Sequence, residues 1–262
     1  MSADGMQGWQ TAICQVVSDG AHEEVIVRGH KLSELVGRLG FAEMMFLLLS
    51  GRLPDPAEAR VLDALLVASM EHGIAPPSMI ARCYASYGTT IQAAMAGGIM
   101  AFGDVMGGAG EQLARLLAET VSAQDGGDDV AWDDVAAGLI AEARARGERI
   151  PGYGIPLHGA DPRAPKMLEI ARTEGTFGPH CRLATAIETA LAAAGRPVPM
   201  NLDGVGAAVI LDLGFPWPAT RAFLLTPRSV SLAAHYLEER EQGSRWRHLP
   251  AEAIDYTGPA PD

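Results

Sequence analysis

The sequence predicts an all-α protein of about ten helices. Three observations carry that expectation. Alanine, leucine and methionine dominate while alternating β-branched stretches are scarce, a composition that favours helix. Apolar residues recur at helical spacing in segments cut by glycine and proline. The chain has 262 residues, 48% of them hydrophobic and 20% charged. That is enough apolar surface to offset the entropy of ordering, so bulk disorder is excluded. One large domain, or one with a smaller domain inserted, fits the length.

The elements follow in order. Val25-Ile26-Val27 is strand-like and leads into a turn at Arg28-Gly29-His30. Asp55 to Glu71 reads as a helix with Val61, Leu62, Leu65, Leu66 and Val67 apolar, stopped by Gly73 and then Pro76-Pro77. Pro77 and Ser78 open a helix over Met79–Ser86 that ends near Gly88. Thr89 to Phe102 is small and apolar on all faces, as a buried, closely packed helix should be. Gln124–Asp129 is a polar Gly-Asp loop. Asp161 and Pro162 form a helix start, with Asp161 as N-cap and Pro162 as first residue; that helix runs to Glu174 and stops at Gly175. Pro179 to Ala194 is alanine-rich and ends at Gly195-Arg196-Pro197. Asn201-Leu202-Asp203-Gly204 opens a small-residue helix reaching Leu213-Gly214. Pro218 to Glu239 forms the last long helix, with Pro227 expected to kink or break it. The tail from Gln242 is irregular.

Composition also removes function classes. Lys+Arg number 20 and Asp+Glu 32, so the net charge is 20 − 32 = −12. A charge of that sign argues against a general nucleic-acid or anionic-membrane partner and leaves room for local basic sites for a small anion. Cys14, Cys83 and Cys181 are far apart and odd in number, which suggests buried thiols in a reduced compartment rather than disulfides or a zinc cluster. The richest apolar run, Phe41–Leu49, contains Glu43 and falls well short of the roughly 20 residues a membrane span needs. MSADGMQGWQ lacks the basic and apolar regions of a secretory signal. A cytoplasmic protein is expected.

Three segments place Gly, Asp, His or Arg at helix junctions. In Gly103–Glu111, GDVMGGAGE, consecutive glycines before a helix either expose N–H groups to an incoming oxygen or allow close helix packing. In Gly152–Ala164, GYGIPLHGADPRA, Arg163 sits in the first turn of a helix, where a cation opposes the dipole. It either binds a carboxylate or makes a surface ion pair. His158 is either a donor or an ordinary loop histidine. In Asn201–Gly204, Asp203 is either an N-cap or a catalytic carboxylate.

Together these segments resemble the citrate synthase superfamily, and more closely its short citryl-CoA lyase-like members. The resemblance spans nearly the whole chain. VRGH at Val27–His30 and LSGRLP at Leu49–Pro54 are similar to the family's opening. EHGIAPPSMIARCYAS at Glu71–Ser86 is similar to its HxLxxST helix. GYGIPLHGADPRA is similar to its GFGHxVHxxxDPRA loop, NLDG to its NVDF or NADG turn, and RSVSLAAHYLEE to its RTxGxxAHxLEE helix. Several ordered motifs in one chain are far more specific than any single one.

The resemblance implies an all-α fold with a large helical domain, a smaller helical domain inserted in it, and a homodimer. It places the large domain at residues 1–106 and 209–262 and the small domain at 107–208. It implies a CoA thioester as substrate and no metal, and the charge already argues against a nucleic-acid or membrane partner. His72, Arg163 and Arg228 fall at the family's carboxylate-binding positions; two guanidinium forks make strong, bidentate bonds to carboxylates. Asp203 falls at the catalytic carboxylate, and His158 is a second catalytic candidate. Gly107, Gly108, Gly154 and Lys166 are the expected CoA contacts. Two departures stand out. Met106 occupies the place of the histidine that opens the HGGAxE pattern, and Ile155 that of the histidine in GFGH. Neither donates a hydrogen bond, and losing one donor to a developing oxyanion typically costs about 10²–10³ in rate.

Two function classes are therefore expected to compete. One is an enzyme that makes or breaks a carbon–carbon bond α to a CoA thioester, favoured by the surviving acid-binding set. The other is a catalytically impaired relative that binds a CoA thioester or polycarboxylate as a regulatory or partner subunit, favoured by Met106 and Ile155. A helical interaction protein without a small-molecule site is a third.

Overall fold

A computed structural model describes residues 8–124, 130–154, 161–195 and 197–259. Among these residues are eleven α-helices and one three-stranded antiparallel sheet. The expected Val25–Val27 strand is the end of β2, Glu23–Val27. It pairs with β1, Cys14–Ser18, on one side and β3, His30–Lys31, on the other. The sequence reading missed β1 because every residue of it is exposed, leaving no alternation to read.

The helices are α1 Leu32–Leu35, α2 Phe41–Ser50, α3 Pro56–Met70, α4 Pro76–Ser86, α5 Ile91–Met100, α6 Ala109–Ser122, α7 Trp132–Ala145, α8 Arg163–Thr173, α9 Pro179–Ala193, α10 Leu202–Asp212 and α11 Thr220–Glu241. Two details correct the sequence reading. Helix α8 starts at Arg163, one residue after the expected Pro162. Helix α11 continues through Pro227 without ending. The expected Gln124–Asp129 loop lies mostly outside the described residues.

Contacts divide the chain into two units. One comprises Met1–Ala68 and Ala109–Phe223; the other comprises Ser69–Gly108 and Leu224–Asp262.

In the first unit a single apolar cluster joins α2, α3, α6, α9 and α10. Phe215 packs against both Phe46 and Phe223 with ring centroids 4.7 Å apart, edge-on to the first and tilted by 60° to the second, separations at which aromatic rings attract. Helix α10 is buried along almost its entire length, as the all-round small and apolar sequence requires. Its last residue, Asp212, accepts the N–H groups of Gly178, His180 and Cys181 at 2.9, 3.0 and 2.9 Å, so one helix's C-terminus supplies the anionic cap for the start of α9. Arg28 stands in the left-handed region at φ 49° and its guanidinium donates to Leu48 O at 2.7 Å, placing a cation at the C-terminal end of α2.

In the second unit α4 and α5 pack together and Leu232 of α11 fills a small core with Ala81 and Ala94. Gly98 allows this: a Cβ there would stand 2.6 Å from Leu232 Cδ2. Of the three cysteines, Cys181 is buried, Cys83 half-buried and Cys14 exposed, so the expectation of three buried thiols holds for one. Burial pushes the Cys181 thiol well up, which keeps it protonated.

Candidate active site

The first unit holds Arg163, Asp203 and Gly154 in a clasp made by two chain segments. Asn201 donates its backbone N–H to Gly152 O at 3.0 Å and its side-chain amide to Gly154 O at 2.8 Å. Gly154 N–H donates to Pro199 O at 2.7 Å. Tyr153 and Met200 form a β-bridge, and the Tyr153 hydroxyl donates to Ala184 O at 2.7 Å. Burial pushes the Tyr153 phenol well above its ordinary pKa, with Glu188 adding to it. The close approach depends on two glycines. A Cβ on Gly204 would overlap Gly152 O, and a Cβ on Gly152, whose φ is +84°, would lie 2.9 Å from Gly204 Cα.

Asp161 makes the second anchor. Its Oδ1 accepts Arg163 Nε at 2.8 Å and Arg163 N at 3.0 Å; its Oδ2 accepts Arg163 Nη2 at 2.7 Å and the Leu202 N–H at 3.1 Å. Arg163 Nη1 also donates to Ala68 O at 3.2 Å. The cation that opposes the α8 dipole is thus explained by a nearly buried carboxylate beside it. Burial alone would raise the Asp161 pKa; the Arg163 guanidinium and the backbone donors outweigh it and hold the carboxyl below its usual range. Among the described residues each of the three Arg163 guanidinium nitrogens makes one of these bonds, which use three of its five N–H donors.

Asn201, not Asp203, is the N-cap of α10: its Oδ1 accepts Gly204 N–H at 3.0 Å. This corrects the capping alternative for Asp203, which is the second residue of the helix, half-buried at its positive end. Gly110 of α6 packs on the same turn, where a Cβ would be 3.4 Å from Asp203 O. Lys166 is exposed and pairs with Glu169 at 2.7 Å. His158 and Ile155 lie outside the described residues.

The second unit holds His72, Met106, Gly107, Gly108 and Arg228. His72 is exposed after the end of α3, and Arg228 is half-buried on α11. Met106 is half-buried in a tight loop closed by Gly103 N–H to Met106 O at 2.9 Å. Gly107 has φ +77°, and a Cβ would lie 2.6 Å from the Phe102 ring; a Cβ on Gly108 would overlap the Asp104 backbone. Close packing therefore explains both glycines locally.

Sequence reasoning missed the polar chain beneath these residues. Glu71 Oε1 accepts the N–H groups of His72 and Gly73 at 2.8 and 2.6 Å. Its Oε2 accepts the Ser231 hydroxyl and lies 3.4 Å from His235 Nε2. His235 Nδ1 accepts Arg82 Nε at 3.1 Å, and Arg82 donates to Glu239 at 2.7 Å. Glu239 is 0% exposed and also accepts Arg247. One signal was available: Arg228, Ser231 and His235 are spaced i, i+3, i+7 and share a helix face. Among the described residues no group of three or more His, Cys, Asp or Glu is placed to hold a metal ion. No helix there is long and apolar enough to cross a membrane.

Residues 54–249 match the family model described as citrate synthase, C-terminal domain. The chain belongs to the citrate synthase family. It is similar to the solved citryl-CoA lyase of Hydrogenobacter thermophilus, with 34% identity, a TM-score of 0.86, and 97% of this chain and 96% of that one covered. It is 27% identical to the citrate/2-methylcitrate synthase of Bacillus subtilis over 84% of this chain and 57% of that one. The ATP citrate lyase of Methanothrix soehngenii, solved with citrate and coenzyme A, shares the fold at 21% identity and a TM-score of 0.80, covering 98% of this chain and 42% of that one. The chain spans about half the length of the curated relatives it matches.

Proposed function

We propose that this protein is a citryl-CoA lyase-like enzyme that cleaves, or in reverse forms, the carbon–carbon bond α to a CoA thioester. The observation that carries the reading is the Asp161 anchor. One carboxylate holds the Arg163 fork and the N–H of Leu202, the residue before Asp203. A carboxylate-binding cation and a candidate acid–base group are thereby fixed to the same point of the backbone. The near end-to-end similarity to a citryl-CoA lyase supports the same reading.

In this proposal His72, Arg163 and Arg228 bind substrate carboxylates. Cleavage breaks the bond between the carbinol carbon and the thioester α-carbon. The hydroxyl proton leaves as the ketone forms, and the thioester enolate receives a proton from the Asp203 carboxyl. The hydroxyl proton goes to a base, for which His158 is the candidate. Citryl-CoA is the sum of acetyl-CoA and oxaloacetate, so no water or further reactant is consumed. The CoA contacts are assigned to Gly107, Gly108, Gly154 and Lys166. The homodimer and the division into 1–106, 107–208 and 209–262 belong to the same proposal.

Incubation with citryl-CoA and related 3-hydroxyacyl-CoA esters, read by mass spectrometry, tests it. Acetyl-CoA and oxaloacetate are expected from the wild type and not from Asp203→Asn. Wild-type protein that leaves citryl-CoA intact overturns the enzyme reading.

A second reading is favoured by Met106 and Ile155. Without those two donors the chain would bind a CoA thioester or polycarboxylate without turning it over. Calorimetric binding of citrate and CoA by an inactive wild type, with cleavage gained by Met106→His plus Ile155→His, is the outcome it expects.

A further inference from the structure

We infer that Glu71 is a positioning residue that sets His72 and the Arg228 face of α11 in register for carboxylate binding. The inference rests on the reading of His72 and Arg228 as substrate-binding groups. One Glu71 oxygen takes the backbone N–H groups of His72 and Gly73 at 2.8 and 2.6 Å. The other takes the Ser231 hydroxyl and faces His235 Nε2 at 3.4 Å. Ser231 and His235 stand three and seven residues beyond Arg228, on the same side of the helix. A single carboxylate therefore ties the peptide of His72 to the helix face that carries Arg228. A carboxylate with both oxygens bonded has one orientation, so the start of the His72 side chain is fixed with it.

The rest of the chain of bonds keeps Glu71 oriented. Arg82 Nε donates to His235 Nδ1 at 3.1 Å, so the ring proton resides on Nε2 and points at Glu71. Arg82 is held in turn by Glu239 at 2.7 Å and by Glu238, and Glu239 also binds Arg247. The one fully buried carboxylate of this route, Glu239, lies between the guanidiniums of Arg82 and Arg247. Burial raises the Glu71 pKa, but Ser231, the two amides and His235 outweigh it and keep the carboxyl ionised below its usual range.

The test compares wild type, Glu71→Ala, Glu71→Gln and Ser231→Ala. Amide hydrogen exchange at His72 and Gly73 reads the positioning directly, and citrate calorimetry with citryl-CoA kinetics reads its effect. Glu71→Ala is expected to abolish protection at the two amides and weaken citrate about tenfold, raising KM more than it lowers kcat. Glu71→Gln keeps an acceptor for the amides and should restore most of their protection. Ser231→Ala, which removes one bond, should show a smaller loss and supplies the measurement if Glu71→Ala does not fold. Unchanged exchange at His72 and Gly73 in Glu71→Ala or in Ser231→Ala overturns the inference. So does unchanged citrate affinity in a variant whose wild type binds citrate. A wild type that neither binds citrate nor cleaves citryl-CoA defeats the substrate-binding reading instead, and the exchange data then decide separately whether Glu71 fixes the loop.

Discussion

Asp161 shows how much one side chain can do. The sequence reading gave it one job, starting a helix, and its Oδ1 does accept the Arg163 N–H. Its larger role is long-range: the other oxygen reaches Leu202 N–H, forty-one positions along the chain. Local patterns reveal caps, but a bond across that separation leaves no periodic trace. Asp161→Asn keeps the shape and removes the charge opposite Arg163; a loss of about 2 kcal/mol in urea unfolding at pH 7 is expected. The sign of the pH effect follows from the direction of its shift. Its folded pKa lies below the ordinary 3.8, so its contribution is complete above that value and fades as pH falls through the folded pKa. Wild type and Asp161→Asn should therefore converge in stability below about pH 4, and curves that stay parallel there contradict the assignment.

At the scale of the element, α10 offers a paired prediction. Two of its glycines look alike in sequence, yet only one is required. A Cβ on Gly204 would overlap Gly152 O and stand 2.7 Å from Met200 Cγ, whereas a Cβ on Gly206 meets only Leu65 Cδ1 at 3.5 Å. Gly204→Ala should cost about 2–3 kcal/mol by overpacking. Gly206→Ala should be neutral or gain up to about 1 kcal/mol from helix propensity. Chemical unfolding of the two variants checks the contrast. The helices themselves were legible because their glycine and proline stops are local: α9 and α10 end within a residue or two of their expected ends. The failures were local too. Pro227 reads as a kink or a break, and α11 does not break there. Strand β1 hides because all five of its residues face solvent.

For the whole molecule, fold and family were readable from ordered motifs, while the polar wiring was not. Glu239 pairs with Arg82 across 157 positions, and only folding shows which glutamate of the LEE triplet is buried. Burial would raise its pKa; the bonds from Arg247 and Arg82 reverse this and draw it down to about 2. The stabilisation is present above the ordinary glutamate value and declines as the pH drops toward the folded one. Glu239→Gln is expected to lose about 3 kcal/mol at pH 7, measured by urea unfolding, with the gap to wild type narrowing steadily between pH 4.5 and 2. An equal gap at pH 7 and pH 3 would show that packing rather than charge is at stake. The acid-binding candidates were legible as residues, yet the bonds by which Asp161 holds Arg163 and Glu71 holds the His72 N–H were not.

The clasp around Gly152–Gly154 and Asp161 has an evolutionary consequence. Its bonds run between backbone groups, one asparagine amide and one aspartate, so they ask little of the side chains around them. A lineage that keeps Gly152, Gly204, Asn201 and Asp161 can therefore vary neighbouring positions without first rebuilding the scaffold.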